Sequence, residues 1–173
     1  AIGDYARQMY QVGKSGNRPC WIYPFASGYG FWASRDLTPQ EQTCSTYLPL
    51  INGVTAFYYW ASHPKSKSEW IRIKELMSEI KQLTPAIASP APTPQIQSSS
   101  PSIKILTKRY NGALYIITLN ISKDPVSAKL DLSSTLKPGS KASVKFENRS
   151  IEIHRGIIED NYRGFERHVY VVK

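Results

Sequence analysis

The spacing of apolar residues along the chain changes near residue 85. Before that point, short apolar and aromatic runs at residues 20–25 and 54–60 alternate with stretches whose apolar residues recur every three to four positions. This pattern predicts strands separated by helices, with helices over residues 4–13, 38–53 and 66–83. A strand–helix–strand order produces parallel strands that are buried on both faces, so we expect further strands beside these two.

The helix that follows residue 37 carries the clearest local signals. Thr38-Pro39-Gln40-Glu41 is a capping box with proline at the first helical position, and Gly53 is a left-handed stop. Pro49 lies inside the run and predicts a bend. A second capping box, Ser66-Lys67-Ser68-Glu69, begins the next helix, which we expect to end before Pro85. The predicted apolar face of the helix over residues 38–53 consists of Cys44, Tyr47, Leu48 and Ile51.

Composition changes after residue 85. Residues 86–102 are rich in proline and serine and predict a linker, with an edge strand around residues 95–97. From residue 103 onward the apolar residues alternate, and Asn111-Gly112 is a strong hairpin signal. Short strands at this spacing predict a small antiparallel sandwich or barrel. The predicted strands are residues 103–110, 113–120, 127–132, 142–146, 150–154 and 168–172.

Charge and cysteine content restrict the possible partners. The net charge of +9 permits nucleic acid as a partner, but no basic run is longer than Lys108-Arg109 and no RNA-binding motif is present. This distribution favours solvated strand faces over nucleic-acid binding. No apolar run reaches the roughly 20 residues of a membrane span. Cys20 and Cys44 fit two buried thiols, and neither metal spacing nor a cofactor motif is found.

Several motifs, taken in order, resemble the C-terminal end of (β/α)₈-barrel glycoside hydrolases. Leu37-Thr38-Pro39-Gln40-Glu41, Tyr47-Leu48-Pro49-Leu50-Ile51-Asn52-Gly53-Val54 and Phe57-Tyr58-Tyr59-Trp60 resemble the last helix–strand step of such barrels. Gly112-Ala113-Leu114-Tyr115-Ile116-Ile117-Thr118-Leu119-Asn120 and Phe165-Glu166-Arg167-His168-Val169-Tyr170-Val171 resemble strands of the β-sandwich that follows the barrel. The resemblance covers most of the chain.

The resemblance implies a fold class of α/β plus all-β. Residues 1–85 would supply the last two strands and helices of a barrel, residues 86–102 a linker or edge strand, and residues 103–173 a β-sandwich. Barrel strands one to six would come from another chain or from a missing N-terminal part. The resemblance also favours secretion.

Glycoside hydrolysis usually needs two carboxylates that flank the scissile bond. The first strand ends in Tyr23-Pro24-Phe25-Ala26 and the second in Tyr59-Trp60-Ala61-Ser62, and neither end supplies an acid. Asp36 is the only loop acid near the expected mouth of the barrel, where it fits a turn or a cap. We therefore assign no catalytic residue to this chain, and whether the complete protein is an enzyme depends on acids elsewhere.

The candidate substrate-binding residues are Trp32, Arg35, Tyr59 and Trp60, at loops and strand ends. In a barrel these positions lie at the functional end, where aromatic rings stack on sugars and arginine hydrogen-bonds hydroxyl groups. The alternative is that the aromatic residues only fill the barrel interior. The leading hypothesis is a portion of a glycoside hydrolase-like protein that completes the barrel and lines a glycan cleft. Its rival is a non-catalytic structural or carbohydrate-binding protein assembled with partner chains.

Overall fold

A computed structural model describes residues 2–15, 19–24, 35, 37–59, 66–135 and 141–173 of the chain. It divides the chain into two compact units, Ala1–Ser78 and Glu79–Lys173, called here the N-terminal and C-terminal units. Within the described residues, no helix is both long enough and apolar enough to cross a membrane. The helices are α1 (Ile2–Ser15), α2 (Pro39–Ile51) and α3 (Lys67–Ile87), and the first two strands are β1 (Trp21–Ile22) and β2 (Ala56–Phe57).

The two strands of the N-terminal unit pair in parallel, as their order with α2 predicts. Trp21 lies opposite Ala56, and Ile22 lies opposite Phe57. Each strand has two residues, so both are shorter than the predicted runs at residues 20–25 and 54–60. The last residue of each predicted run, Phe25 or Trp60, falls outside the described residues.

The capping box of α2 is present as predicted. The Thr38 hydroxyl accepts a hydrogen bond from the Glu41 backbone N–H at 3.2 Å, and the Glu41 carboxylate accepts one from the Thr38 N–H at 2.8 Å. Gly53 follows the helix with φ +95°, a left-handed conformation that favours glycine. A Cβ at this position would lie 2.6 Å from the Tyr10 ring, so glycine also permits the close approach of α1.

The buried face of α2 differs from the predicted one. Only Tyr47 belongs to both, and Cys44, Leu48 and Ile51 are half-buried. The buried residues are Gln42, Thr43, Thr46, Tyr47, Pro49 and Leu50. The hydroxyls of Thr43 and Thr46 donate to carbonyl groups one turn earlier, at 2.8 and 2.9 Å. Threonine satisfied in this way can be buried, and an apolar periodicity does not detect it.

The predicted end of α3 before Pro85 is wrong. The helix continues through Pro85 to Ile87. The exposed proline lacks an N–H and therefore removes one hydrogen bond of the helix. The Ala88 N–H donates to the Thr84 carbonyl at 2.9 Å, so the helical hydrogen-bonding pattern resumes directly after the proline.

The C-terminal unit contains two antiparallel sheets. One has the strand order β4-β5-β10-β7-β8 and the other has the order β3-β6-β9. The bounds are β3 (Gln97–Ser98), β4 (Ile103–Tyr110), β5 (Ala113–Asn120), β6 (Val126–Asp131), β7 (Lys141–Val144), β8 (Arg149–Glu152), β9 (Ile157–Tyr162) and β10 (Arg167–Val172).

Most strands after residue 103 agree with the prediction. The bounds of β4 and β5 are those predicted, and Asn111 and Gly112 between them have φ values of +48° and +76°. A two-residue hairpin turn of type I′ requires such left-handed values at both positions. The other predicted strands agree to within two residues. The sequence missed β9.

Both sheets contribute to one hydrophobic core. Ile116 and Tyr170 belong to the five-stranded sheet, whereas Leu130 and Ile158 belong to the three-stranded sheet, and all four side chains are fully buried. The other members of the core are Ile96, Ile103, Leu114, Ala128, Leu132, Ala142, Val144, Ile153, Tyr162 and Val172. The two sheets therefore share a closed interior made from inward-facing side chains.

Candidate functional site

One face of the parallel pair is covered within the N-terminal unit. Cys20 and Ile22 are buried there with Val54 and with Ala6 of α1. The Thr55 hydroxyl joins the two chain segments, because it accepts from the Cys20 N–H and donates to the Cys20 carbonyl, each at 3.0 Å. This face is therefore a small apolar core beneath α1.

The opposite face of the pair is aromatic and exposed. Trp21, Tyr23 and Tyr58 have exposed fractions of 57%, 53% and 63%, and we call these three residues the aromatic face. The rings of Tyr23 and Tyr58 meet edge to face, with centroids 5.5 Å apart and an interplanar angle of 66°. Parallel strands are normally buried on both sides, so this face is a surface suited to burial.

Two of the four candidate binding residues lie within the described chain, and both contact α2. The Arg35 guanidinium makes two hydrogen bonds to the Glu41 carboxylate, at 2.7 and 2.6 Å. The Tyr59 hydroxyl lies 2.7 Å from the Thr46 hydroxyl. Arg35 thus contacts the first turn of the helix and Tyr59 its middle. The other two candidates, Trp32 and Trp60, lie outside the described residues, as does Asp36.

The ionisable groups near α2 have shifted pKa values with clear causes. The hydrogen bonds from Arg35 lower the pKa of Glu41 to about 2 against the opposing effect of burial, and Thr38 adds to the lowering. Burial raises the pKa of Tyr59. Burial also raises the pKa of Cys44 to about 11 and raises the pKa of Cys20. Both cysteines are therefore protonated free thiols at neutral pH. Cys20 is buried as predicted, whereas Cys44 is only half-buried.

A second candidate site, which the sequence did not indicate, lies in the C-terminal unit. It is a cleft of about 380 Å³, called here the polar cleft. Its lining residues come from β8, β9, β10 and neighbouring turns, and they are Pro125, Glu147, Arg149, Asp160, Asn161, Tyr162, Arg163, Glu166 and His168. Each of the charged residues, taken alone in the sequence, is typical of a solvated strand face.

Arg149 and His168 connect the charged groups of the polar cleft. The Arg149 guanidinium contacts Glu147 at 2.9 Å and Asp160 at 2.7 Å. His168 Nδ1 lies 2.6 Å from a Glu147 carboxylate oxygen, and its Nε2 lies 3.2 Å from the Asn161 carbonyl. Both ring nitrogens of His168 therefore have a hydrogen-bond partner, so the ring is held in place and does not present a free general base.

The carboxylates of the polar cleft are held in the ionised form. Burial alone would raise the pKa of Glu147, but hydrogen bonds from His168 and Arg149 outweigh it and lower that pKa. Burial alone would also raise the pKa of Asp160, but hydrogen bonds from Arg149 and Tyr170 outweigh it and lower that pKa. Burial raises the pKa of Tyr170, so its hydroxyl donates to Asp160 at 2.9 Å as a neutral group. Among the described residues, no histidine, cysteine or carboxylate cluster could hold a metal ion.

No protein-family model and no curated protein matches the sequence, but solved structures match the fold. An Anoxybacillus α-amylase matches at a TM-score of 0.63 and 11% identity, over 99% of this chain and 45% of that chain. A GH30 endoxylanase from Clostridium papyrosolvens matches at 0.57 and 14% identity, over 100% and 46%. A GH27 β-L-arabinopyranosidase from Geobacillus stearothermophilus matches at 0.61 and 10% identity, over 99% and 42%.

These similarities establish a shared fold. This chain spans less than half the length of each of the three solved structures. The predicted resemblance to glycoside hydrolases is confirmed at the level of the fold, as a mixture of helices and antiparallel sheets.

Proposed function

We propose that this chain is the C-terminal portion of a glycoside hydrolase-like protein. In this proposal β1 and β2 are the last two strands of a (β/α)₈ barrel, and the C-terminal unit is the β-sandwich that follows it. The aromatic face carries the proposal, because exposed rings on a parallel pair are expected where further parallel strands cover them. The shared fold and the partial coverage of the matched structures support it.

The domain limits follow the same proposal. Residues 1–85 complete the barrel, residues 86–102 lead out of it, and residues 103–173 form the sandwich. The two antiparallel sheets with a common core support the last assignment. The remaining barrel strands come from another part of the same protein or from a partner chain.

The second part of the proposal is a glycan cleft lined by Trp32, Arg35, Tyr59 and Trp60. Residues that follow barrel strands lie at the end of the barrel where substrates bind. Anchoring of the Tyr59 hydroxyl on Thr46 would hold that ring in a fixed position. One matched α-amylase structure contains acarbose, and the matched arabinopyranosidase structure contains arabinose, which supports carbohydrate as the ligand class.

The catalytic carboxylates belong, in this proposal, to residues outside this chain. Glu41 is engaged in the α2 cap and by Arg35, and Glu75 pairs with Arg72 on α3 at 3.1 Å. Neither predicted strand end contains an acid. The rival, a carbohydrate-binding assembly without catalysis, is favoured by this same shortage of acids. The two proposals differ in one measurable respect, which is the release of reducing ends from a bound glycan.

The first experiment determines what the chain is attached to. The natural protein would be isolated, its intact mass measured and any co-purifying chains identified. We expect either one longer polypeptide or a stable complex, because the parallel pair needs neighbouring strands. A stable, monodisperse monomer of 19.5 kDa that binds no other chain would contradict the proposal.

The second experiment measures glycan binding by that complete protein or complex. Calorimetry with maltoheptaose and xylohexaose tests two glycan classes, and a reducing-end assay on the same samples separates an enzyme from a non-catalytic binder. Trp60→Ala and Trp32→Ala should each weaken binding roughly tenfold, or about 1.4 kcal/mol. Trp70→Ala removes a half-exposed ring of α3 and is the matched control. Equal binding by all three variants would remove these residues from the proposed site.

A further inference from the structure

The polar cleft has the features of a built binding site. Its two main turns, residues 145–148 and 163–166, each place a phenylalanine in a left-handed conformation directly before a glutamate of the cleft. Phe146 has φ +72° and precedes Glu147, and Phe165 has φ +58° and precedes Glu166. Such a conformation is strained for a bulky residue, and strained residues concentrate at functional sites. The same strain therefore accompanies both glutamates of one cleft.

The lining groups are fixed before any ligand arrives. Behind the cleft, the Tyr162 hydroxyl lies 2.9 Å from that of Tyr170 and 3.0 Å from that of Thr118. Tyr170 in turn holds Asp160, and the His168 side chain is only 4% exposed. Because these side chains are already ordered, a ligand would lose little affinity to ordering them.

The mouth of the cleft offers both donors and acceptors. Within the described residues, the Arg163 guanidinium, Nη1 of Arg149 and the side-chain nitrogen Nδ2 of Asn161 have no protein partner, so they can donate to a ligand. The carboxylates of Glu147 and Glu166 accept hydrogen bonds from the protein and have further acceptor sites. The lining of one cleft thus contains both donors and acceptors.

The charge around the cleft is close to balanced, because its lining contains three carboxylates and two guanidinium groups, and a third guanidinium, that of Arg167, contacts Glu147 at 3.1 Å. A simple anion would meet the carboxylates, and a simple cation would meet the guanidinium groups. A neutral molecule with several hydroxyl groups, which donate and accept together, matches this lining better than either ion. The volume of about 380 Å³ lies in the range of small-molecule sites.

We propose that the polar cleft binds a small neutral polyhydroxylated ligand, of the mono- or disaccharide class. The site is formed by the C-terminal unit alone, so it does not depend on the function proposed above. Glu147 and Glu166 accept from ligand hydroxyls, and Arg149, Asn161 and Arg163 donate to them.

Titrations followed by amide NMR test this inference on the full chain. Maltose and xylobiose are the probes, and sodium sulfate, calcium chloride and glycylglycine represent anions, cations and zwitterions. We expect at least one sugar to shift the amide signals of residues 161–166 in a saturable way, and the ionic probes to cause no saturable shift there. Saturable shifts from an ionic probe alone, or from no probe, would overturn the proposal.

Variants then show whether the lining residues are responsible. Arg163→Ala and Glu166→Gln should each weaken the sugar affinity at least fivefold, whereas Arg109→Ala, an exposed arginine of β4, should not change it. Retention of the remaining amide spectrum shows that each variant is folded. Unchanged affinity in Arg163→Ala and Glu166→Gln would also overturn the proposal. Trp60→Ala separates this proposal from the glycan cleft proposed above. If only the glycan cleft depends on Trp60, the amide signals of residues 161–166 will still shift when sugar is added to this variant.

Discussion

The exposed rings on the parallel pair of the N-terminal unit contrast with two buried tyrosines of the C-terminal unit. In the N-terminal unit, Trp21, Tyr23 and Tyr58 are more than half exposed on a parallel pair of two-residue strands. In the C-terminal unit, Tyr162 and Tyr170 are 1% and 0% exposed between two antiparallel sheets. Aromatic side chains therefore form an exposed surface on the parallel pair and part of a closed core between the antiparallel sheets.

The difference follows from the strand arrangements. Antiparallel sheets can bury one face and leave the other in water. The eight strands of the C-terminal unit share one core, so their inner faces are covered without further strands. A parallel pair needs cover on both faces and neighbours at both edges. We therefore expect substitutions of buried core residues to destabilise the C-terminal unit more than substitutions of exposed residues. We also expect the N-terminal unit to become more stable when its exposed aromatic face is covered.

The largest expected effect contrasts a core residue with an exposed ring. Leu130→Ala removes a fully buried side chain of the C-terminal unit and should lower the free energy of unfolding by about 2–5 kcal/mol. Trp21→Ala removes a ring that is 57% exposed and should change it by less than about 0.5 kcal/mol in the chain alone. Urea unfolding followed by far-ultraviolet circular dichroism measures both. A Trp21→Ala cost as large as that of Leu130→Ala would contradict the comparison.

The next contrast uses two arginine–glutamate pairs that each have two hydrogen bonds. Arg167 contacts Glu79 at 3.1 and 2.7 Å, and both side chains are 10% exposed, whereas Arg35 beside Glu41 is 61% exposed. Glu79→Ala should cost about 3 kcal/mol, because it removes the main partner of a buried guanidinium. Arg35→Ala should leave the unfolding transition unchanged, since solvent screens an exposed pair.

A double variant makes this contrast sharper. Glu79→Leu combined with Arg167→Leu removes both buried charges and should be more stable than Glu79→Ala, because no buried charge remains without its partner. The same urea unfolding measurement applies. If Glu79→Ala costs no more than Arg35→Ala, burial does not distinguish the two pairs.

The third prediction concerns acid sensitivity of the C-terminal unit. The pKa values of Glu147 and Asp160 are lowered in the folded state, so their stabilisation is present above the unfolded values of about 4.3 and 3.9 and is lost as the pH falls through the folded values. The urea concentration at the unfolding midpoint should therefore decrease as the pH is lowered below about 5. Glu147→Gln combined with Asp160→Asn should flatten this decline, and an unchanged slope would contradict it.

Local signals explain which elements were predictable from the sequence. The α2 cap needs only Thr38 and Glu41, and the β4–β5 hairpin needs only alternating residues around Asn111-Gly112, so each was found. Strand β9 was missed because Asp160 points inward with Ile158 and Tyr162. An inward carboxylate disguises the period of two, and its partner Arg149 belongs to another sheet.

The polar cleft was not predictable for a related reason. Glu147, Asp160 and His168 are separated in sequence and converge only through the pairing of strands into two sheets. The candidate binding residues Trp32, Arg35, Tyr59 and Trp60 were chosen from their places in loops and after predicted strands, and they stay a prediction. Such local reasoning does not detect a cleft that is assembled by the pairing of distant strands.

The smallest predicted effect tests whether the two units respond separately. Thr38→Ala removes the cap that accepts from the Glu41 N–H and should destabilise α2 by about 1 kcal/mol. Thr38→Ser should retain most of the stability, because serine also caps helices. Thr84→Ala is the control, since its hydroxyl bonds the Ile80 carbonyl inside α3 and caps no helix start.

All four tryptophans precede residue 79, so tryptophan fluorescence reports on the N-terminal unit while circular dichroism in the sheet region reports mainly on the C-terminal unit. Thr38→Ala should move the fluorescence transition to lower urea and leave the sheet transition in place. Amide exchange at Glu41 should accelerate in parallel, because that N–H loses its acceptor. If both transitions move together, the two units unfold as one cooperative structure, and the N-terminal unit is stabilised by more than its own contacts.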